Sequence, residues 1–243
     1  MRKERLENYS KLEGLRNSKV LVYVTSDRQN AETNIGADIL APFANHLDTL
    51  GDVDKITLFL YSNGGSTLAG WSLVNLIRSF CKDFEVIIPF RCQSTATLIS
   101  LGTDRIVMTK QATLGPIDPS LNSPLNPQNP QVPNNPAARV PVSVESIKGY
   151  FEFAQKDLNI HNESELKDIY INISNQVHPL VLGDVYRSRT QIQMLAKKLL
   201  LKQIDDKDKI ENIIPLYLLS NRKRRVPPSS SGRGESFVIL YVI

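Results

Sequence analysis

KITLFLYSNGGSTLAGWSLVNLIR, residues Lys55–Arg78, joins an apolar run to an amphipathic one through two adjacent glycines, Gly64 and Gly65. Lys55–Tyr61 reads as a strand. Leu68, Trp71, Val74, Ile77 and Phe80 recur at helical spacing, so the segment after the glycines reads as a helix with a core face. Glycine lets other atoms approach the backbone closely. A helix start leaves N–H groups without intrahelical partners. A strand–Gly–Gly–helix joint can therefore hold an anion: a phosphate, a reaction oxyanion, or none if it is only a packing turn.

The same alternation continues on both sides. Lys19–Thr25 reads as a strand and residues 36–50 as a helix. Phe84–Phe90 is a strand, Thr95–Leu101 a short apolar helix, and Arg105–Thr109 another strand, followed by a tight corner at Leu114–Pro119. This order predicts an α/β fold with parallel pairing. Residues 116–141 then hold eight of the fourteen prolines among asparagines, and read as extended loop, either a functional lid or disordered. Val142–Asp157 and Ser164–Gln203 read as helices. The latter has an apolar stripe at Val181, Val185, Ile192, Leu195 and Leu199 that Gly183 interrupts. The expected organisation is a polar arm at 1–18, a domain at 19–205 containing the loop 119–141, and a basic tail at 206–243. In that tail Pro227–Gly232 has linker composition. Phe237–Ile243 is a β-prone end, an edge strand or an unrelated terminus.

With 243 residues, 41% apolar and 22% charged, the chain can build one sizeable core. The net charge of +4 comes from the tail: before Ser220 there are 24 basic and 24 acidic residues. No basic face for nucleic acid is expected, and Arg222–Arg225 reads as solvated surface or a targeting patch. Two cysteines, Cys81 and Cys92, make no disulfide framework, and the charged start MRKERLENYSKLEGLRNS is no signal peptide. Both point to the cytoplasm. No apolar run approaches the ~20 residues of a membrane span. No metal is expected, because no Cys/His cluster has ligand spacing. No nucleotide or other cofactor is expected either, since no G-x-G-x-x-G or P-loop follows a strand.

Ser94 lies where a strand ends and a short helix begins, the edge at which open parallel sheets bind ligands. The Thr95 N–H can converge there with those of Gly64 and Gly65, and two such donors beside a hydroxyl form an oxyanion hole. An N-cap is the alternative role for Ser94. Ser66 competes, but GGSTLAG is not a G-x-S-x-G elbow.

SNGGSTLAG, with QSTATLISLGTDRIVMTKQATLGPIDPS after it, resembles the superfamily of the Clp protease proteolytic subunit and signal peptide peptidase A. More narrowly it is similar to the serine dehydrogenase proteinases, over about residues 19–205. The resemblance implies a Clp/crotonase-like α/β fold of repeated strand-strand-helix units with a C-terminal helical extension. It also implies a homo-oligomer and a peptide or protein substrate. Ser94 would be the nucleophile, Gly65 and Thr95 the oxyanion donors, and Gly64 the shaper of the turn. The nucleophile segment departs from the family in reading Gln93-Ser-Thr-Ala-Thr97 rather than Ser-Ala-Gly-Thr.

The Clp subunit's histidine falls near Asp118 here, so a Ser-His-Asp triad of that type is not supported. The peptidase A relatives use a lysine, and Lys148, among Ile147, Tyr150 and Phe151, is the expected base: apolar neighbours favour the neutral amine. Its alternative role is to cover apolar surface with its stem. His178 is the runner-up base, and Asp118 a supporting carboxylate or turn residue. His46 and His161 read as surface. Three functions follow: a serine peptidase, a catalytically silent oligomeric scaffold, or a crotonase-like acyl-CoA enzyme. The last lacks paired carboxylates in the expected segments.

Overall fold

A computed structural model describes residues 2–118, 120–218 and 239–242. Its elements are α1 (Arg2–Arg16), β1 (Lys19–Val24), α2 (Leu40–Leu50), β2 (Val53–Tyr61), α3 (Thr67–Arg78), β3 (Cys81–Ile88), β4 (Arg91–Cys92), α4 (Thr95–Leu101), β5 (Arg105–Met108), β6 (Thr113–Leu114), β7 (Ser120–Leu121), β8 (Val142–Ser143), α5 (Val144–Lys156), α6 (Glu163–Gln176), α7 (Pro179–Leu200), α8 (Lys207–Leu218) and β9 (Ile239–Val242). A 3-10 turn, Ala37–Ile39, precedes α2.

The chain divides into two compact units. One takes in the residues up to Ile117, Leu195–Tyr217 and the C-terminal strand; the other is chiefly Asp118–Met194. The first unit holds the sheet, in the order β1-β2-β3-β5-β9, with every neighbouring pair parallel. Its central strands bury Ile56, Leu58, Leu60, Phe84, Val86, Ile88 and Ile106 on one face and Thr57, Glu85, Ile87 and Val107 on the other, so the sheet is covered on both faces. The predicted α/β class with parallel pairing is the observed one. β9 lies along β5, so the β-prone end serves as an edge strand. Arg222–Arg225 falls outside the described residues.

One charge is fully buried in this sheet. Glu85 on β3 has Thr57 of β2 and Arg105 of β5 as its cross-strand neighbours. Its carboxylate accepts from Arg16 Nε at 2.8 Å, Lys55 Nζ at 3.2 Å, Arg105 at 3.3 Å and Thr57 Oγ1 at 3.2 Å. Arg16 closes the last turn of α1, a helix with no buried residue, so Glu85 ties that polar helix to the sheet beside Glu13, which accepts from Val20 N–H at 3.1 Å.

The second unit has a valine core of Val142, Val144, Val177, Val181 and Val185, against which Leu121, Ile147 and Leu182 pack. The Pro/Asn-rich segment, expected to be lid or disorder, is hydrogen-bonded to itself. β7 and β8 pair antiparallel at its base. The nearly buried Asn126 donates to the Leu121 carbonyl at 2.6 Å and the Val140 carbonyl at 3.0 Å. A buried amide replaces the ladder that the prolines forbid. Downstream, helix breaks at Val177–His178 and resumes with Pro179, the residue best suited to a first helical position. Gly183 does not interrupt α7: it is exposed, and the helix runs 22 residues through it.

Burial alone would raise the Glu85 pKa, but the hydrogen bonds and charges of Arg16 and Lys55 outweigh it and hold the carboxyl below its ordinary value. A lowered folded pKa means stability that is complete above the unfolded value, about 4.3, and lost as pH falls through the folded one. Glu85→Gln is therefore expected to lower stability by ~3 kcal/mol at neutral pH, because three cations lose their counter-charge. Denaturant melts of the two proteins should converge in acid. A constant gap down to acid pH would contradict this account.

Candidate functional site

The site is built where β2 and β4 end. Ser62 is fully buried and pairs with Cys92: its N–H donates to the Arg91 carbonyl at 3.1 Å, and Gln93 N–H returns to the Ser62 carbonyl at 3.0 Å. Its hydroxyl accepts from Thr25 Oγ1 at 2.9 Å and from Gly64 N–H at 3.0 Å. The Gly64 N–H is thus taken up inside the turn, which leaves Gly64 the shaping part.

Gly64 (φ 105°) and Gly65 (φ 150°) both have positive φ. Their lack of a side chain is also a matter of space. A Cβ on Gly64 would sit 2.7 Å from Ser94 Cβ and 3.2 Å from its Oγ. One on Gly65 would sit 2.2 Å from the Ile35 carbonyl oxygen. Ile35 lies across this turn as a strap, donating to the Gly64 carbonyl at 2.8 Å and accepting from Ser66 N–H at 2.7 Å.

Ser94 holds φ 52° and ψ −120°, far from any region a serine favours. Its N–H donates to the Pro116 carbonyl at 3.1 Å, and its carbonyl accepts from Leu98 N–H at 3.1 Å. Among the described residues no hydrogen bond engages its hydroxyl, and it makes no N-cap bond. The corner beneath is close: Thr97 Oγ1 donates to the Gly115 carbonyl at 2.7 Å, and a Cβ on Gly115 would meet Gln93 at 2.8 Å. The Gly-Gly turn, the serine turn and the Gly115-Pro116 corner therefore lie against one another.

Thr95 is fully buried, and its hydroxyl donates to the Gly65 carbonyl at 2.7 Å. Its methyl is accommodated because residue 70, on α3, is glycine: a Cβ there would lie 2.4 Å from Thr95 Cγ2 and 3.3 Å from Ile99 Cγ1. Among the described residues the backbone N–H groups of Gly65 and Thr95 have no acceptor.

Lys148, Asp118 and His178 belong to the second unit. The Lys148 ammonium lies 3.0 Å from Glu152 and 3.9 Å from Glu145. Its stem lines a cavity with Ile147 and Phe151. Asp118 serves the start of α5: its carboxylate accepts from Ser143 Oγ at 2.8 Å and from Glu145 N–H at 3.3 Å, while Ser143 Oγ caps Ser146 N–H at 3.0 Å. His178 is exposed, and its Nδ1 accepts from Leu180 N–H at 3.2 Å, which caps α7. Burial pushes the Cys92 thiol up to about 12 and the Cys81 thiol up to about 11, so neither is a thiolate at neutral pH. Among the described residues no helix is long and apolar enough to cross a membrane. Among them, too, no group of three or more His, Cys, Asp or Glu is placed to hold a metal ion.

Sequence reasoning missed the Ile35 strap, the Thr25–Ser62 hydroxyl pair and the Thr95 hydroxyl bond. Only Gly70, a glycine inside a helical pattern, carried a readable signal.

The profile of the ClpP-like SDH-type serine proteinases matches residues 2–200. Two uncharacterized proteins of Methanocaldococcus jannaschii are 36% and 35% identical over 66 residues, which is 27% of this chain and 23% of each relative. The match thus spans about a quarter of these relatives' length. Among solved structures, ClpP1 from Listeria monocytogenes is similar at 16% identity over 43% of this chain and 58% of that one, with a TM-score of 0.33. The membrane-bound stomatin-specific protease 1510-N is similar at 14% identity over 62% of this chain and 67% of that one, with a TM-score of 0.37.

Gly70→Ala is expected to destabilise the protein by ~1–3 kcal/mol through overpacking against Thr95. Thr95→Ser, which removes that methyl and keeps the hydroxyl, should restore a large part of the loss. The check is a double-mutant cycle from thermal melts. Additive effects would remove the contact from the account.

Proposed function

The chain belongs to the ClpP-like SDH-type serine proteinases, and from that premise we propose that it is a serine endopeptidase acting through Ser94. The observation that carries this reading is the Ser94 backbone. A non-glycine residue at φ 52°, ψ −120° stores ~1–3 kcal/mol, and such strain gathers at functional turns. Here it presents a hydroxyl beside the unpartnered N–H groups of Gly65 and Thr95.

In the reaction, Ser94 Oγ attacks the peptide carbonyl carbon while Lys148 Nζ, released from Glu152, takes the hydroxyl proton. The oxyanion accepts from Gly65 N–H and Thr95 N–H, donors fixed before the charge develops. The C–N bond then breaks, the proton passes from Lys148 to the leaving amine, and water hydrolyses the acyl-enzyme by the same route. Thr95 Oγ1, bound to the Gly65 carbonyl, holds the two donor peptides together. Asp118, by capping α5, sets the start of the helix that carries Lys148. The working unit is the domain read at 19–205 together with the arm 1–18 and the described part of the tail 206–243, which pack with its first compact unit, acting as a homo-oligomer on protein substrates in the cytoplasm. The free thiols of Cys81 and Cys92 support that compartment.

A catalytically silent scaffold is the second reading. The observation favouring it is the Lys148–Glu152 pair, which must open before Lys148 can accept a proton.

The test is labelling of the purified protein by a fluorophosphonate probe, beside Ser94→Ala and Lys148→Ala. Loss of labelling in both variants is the expected result. Loss only in Ser94→Ala keeps the nucleophile and passes the base role to His178. A folded wild type that never labels, from neutral to alkaline pH, leaves the silent scaffold.

A further inference from the structure

The second unit contains a cavity of about 440 Å³, inside the range of small-ligand sites. Its walls come from one face each of two helices. Val144, Ile147 and Phe151 recur at helical spacing on α5, and Leu182, Val185 and Arg189 do so on α7. Tyr170 of α6 lines it too. α6 contributes no buried residue of its own, so nothing from that helix fills the space.

The charges facing it are unevenly matched. Lys148 is held by Glu152, which also takes Lys156 at 3.1 Å, so that carboxylate is shared by two cations. Glu145 is largely buried, and burial raises its pKa against the opposing charges of Lys148 and Arg189. Asp118 is occupied at the start of α5. That leaves Arg189. Its Nε is buried and has no hydrogen-bond partner among the described residues. A buried donor without an acceptor loses the full cost of its desolvation, and native proteins seldom leave one.

The geometry points to a binding site for a small monocarboxylate with an apolar body, its carboxylate on the Arg189 guanidinium and its hydrocarbon against Ile147, Phe151, Leu182 and Val185. The guanidinium fork matches a carboxylate, and a bound carboxylate would offer Nε the acceptor it lacks once the side chain turns toward the cavity. The apolar wall takes the remainder. A free fatty acid and the C-terminal residue of an apolar peptide share this chemistry. The cavity shares Lys148 with the peptidase reading as one of its lining residues, but binding on Arg189 needs neither Ser94 nor a reactive Lys148.

The experiment is calorimetric titration of the full chain with decanoate, with N-acetyl-leucine and with decanol. Saturable one-site binding of either carboxylate below about 1 mM, weakened about tenfold or more in Arg189→Gln, is the expected result. The tighter of the two carboxylates names the source, lipid or peptide terminus. Decanol should bind at least tenfold more weakly than decanoate. If Arg189→Gln lowers the thermal midpoint, Arg189→Lys, which keeps the charge but lacks the fork, carries the same comparison. Absence of binding by both carboxylates overturns the assignment. So does equal binding in the Arg189 variants, or decanol binding as tightly as decanoate.

Discussion

The structure around Ser94 depends on there being no side chain at residues 64 and 65. Ile35 crosses one face of this dipeptide and Ser94 lies against the other, each closer than a methyl group would permit. Close approach of three backbones, rather than any charge or metal, is what assembles the site. It fixes the direction of the Gly65 N–H and forces Ser94 into its strained turn. The cost is distributed over hydrogen bonds that would otherwise be unremarkable: Ile35 to Gly64 and Ser66, Ser62 to Gly64, and Ser94 to Pro116.

The sheet separates two kinds of polarity along its strands. Toward the strand starts, Glu85 gathers Arg16, Lys55 and Arg105 into a buried ionic knot. Toward the strand ends the buried polar groups are neutral, the hydroxyls of Thr25, Ser62, Thr95 and Thr97, while the Arg91–Asp27 ion pair lies outside them, partly exposed. Charge anchors the scaffold at one end. Dipoles, which need no counter-ion and little reorganisation, shape the other.

The local parts of this arrangement were legible in the sequence. Apolar runs, helical spacing and the glycine pair located β2, α3, β3, α4 and β5, and the serine between strand and helix located the strained turn at Ser94. What was not legible is what reaches across the chain. Ile35 is an ordinary apolar residue in a stretch with no pattern, and its strap exists only once Gly65 has folded against it. Thr95 could be read as extra bulk, but not as a hydroxyl aimed at a carbonyl 30 residues earlier. The prolines of 119–141 correctly excluded helix. They could not reveal that Asn126 would organise the segment, because an asparagine in a loop carries the same local signature whether buried or solvated. Asp118, read as a turn residue or supporting carboxylate, proved to cap α5.

The order in which these pieces occur in the chain has a consequence for biosynthesis. Residues 195–217 pack with the first unit, where Gln203 reaches the Leu101 carbonyl, Lys202 reaches Asn75, and Tyr217 accepts from Ile117 N–H. The 77 residues from Asp118 to Met194 are interposed between them. A ribosome therefore delivers β1 through β6 long before it delivers the helix that covers Leu101. Until residues 195–217 emerge, the first unit lacks part of its own packing, and the 77 interposed residues set how long the ribosome takes to supply it.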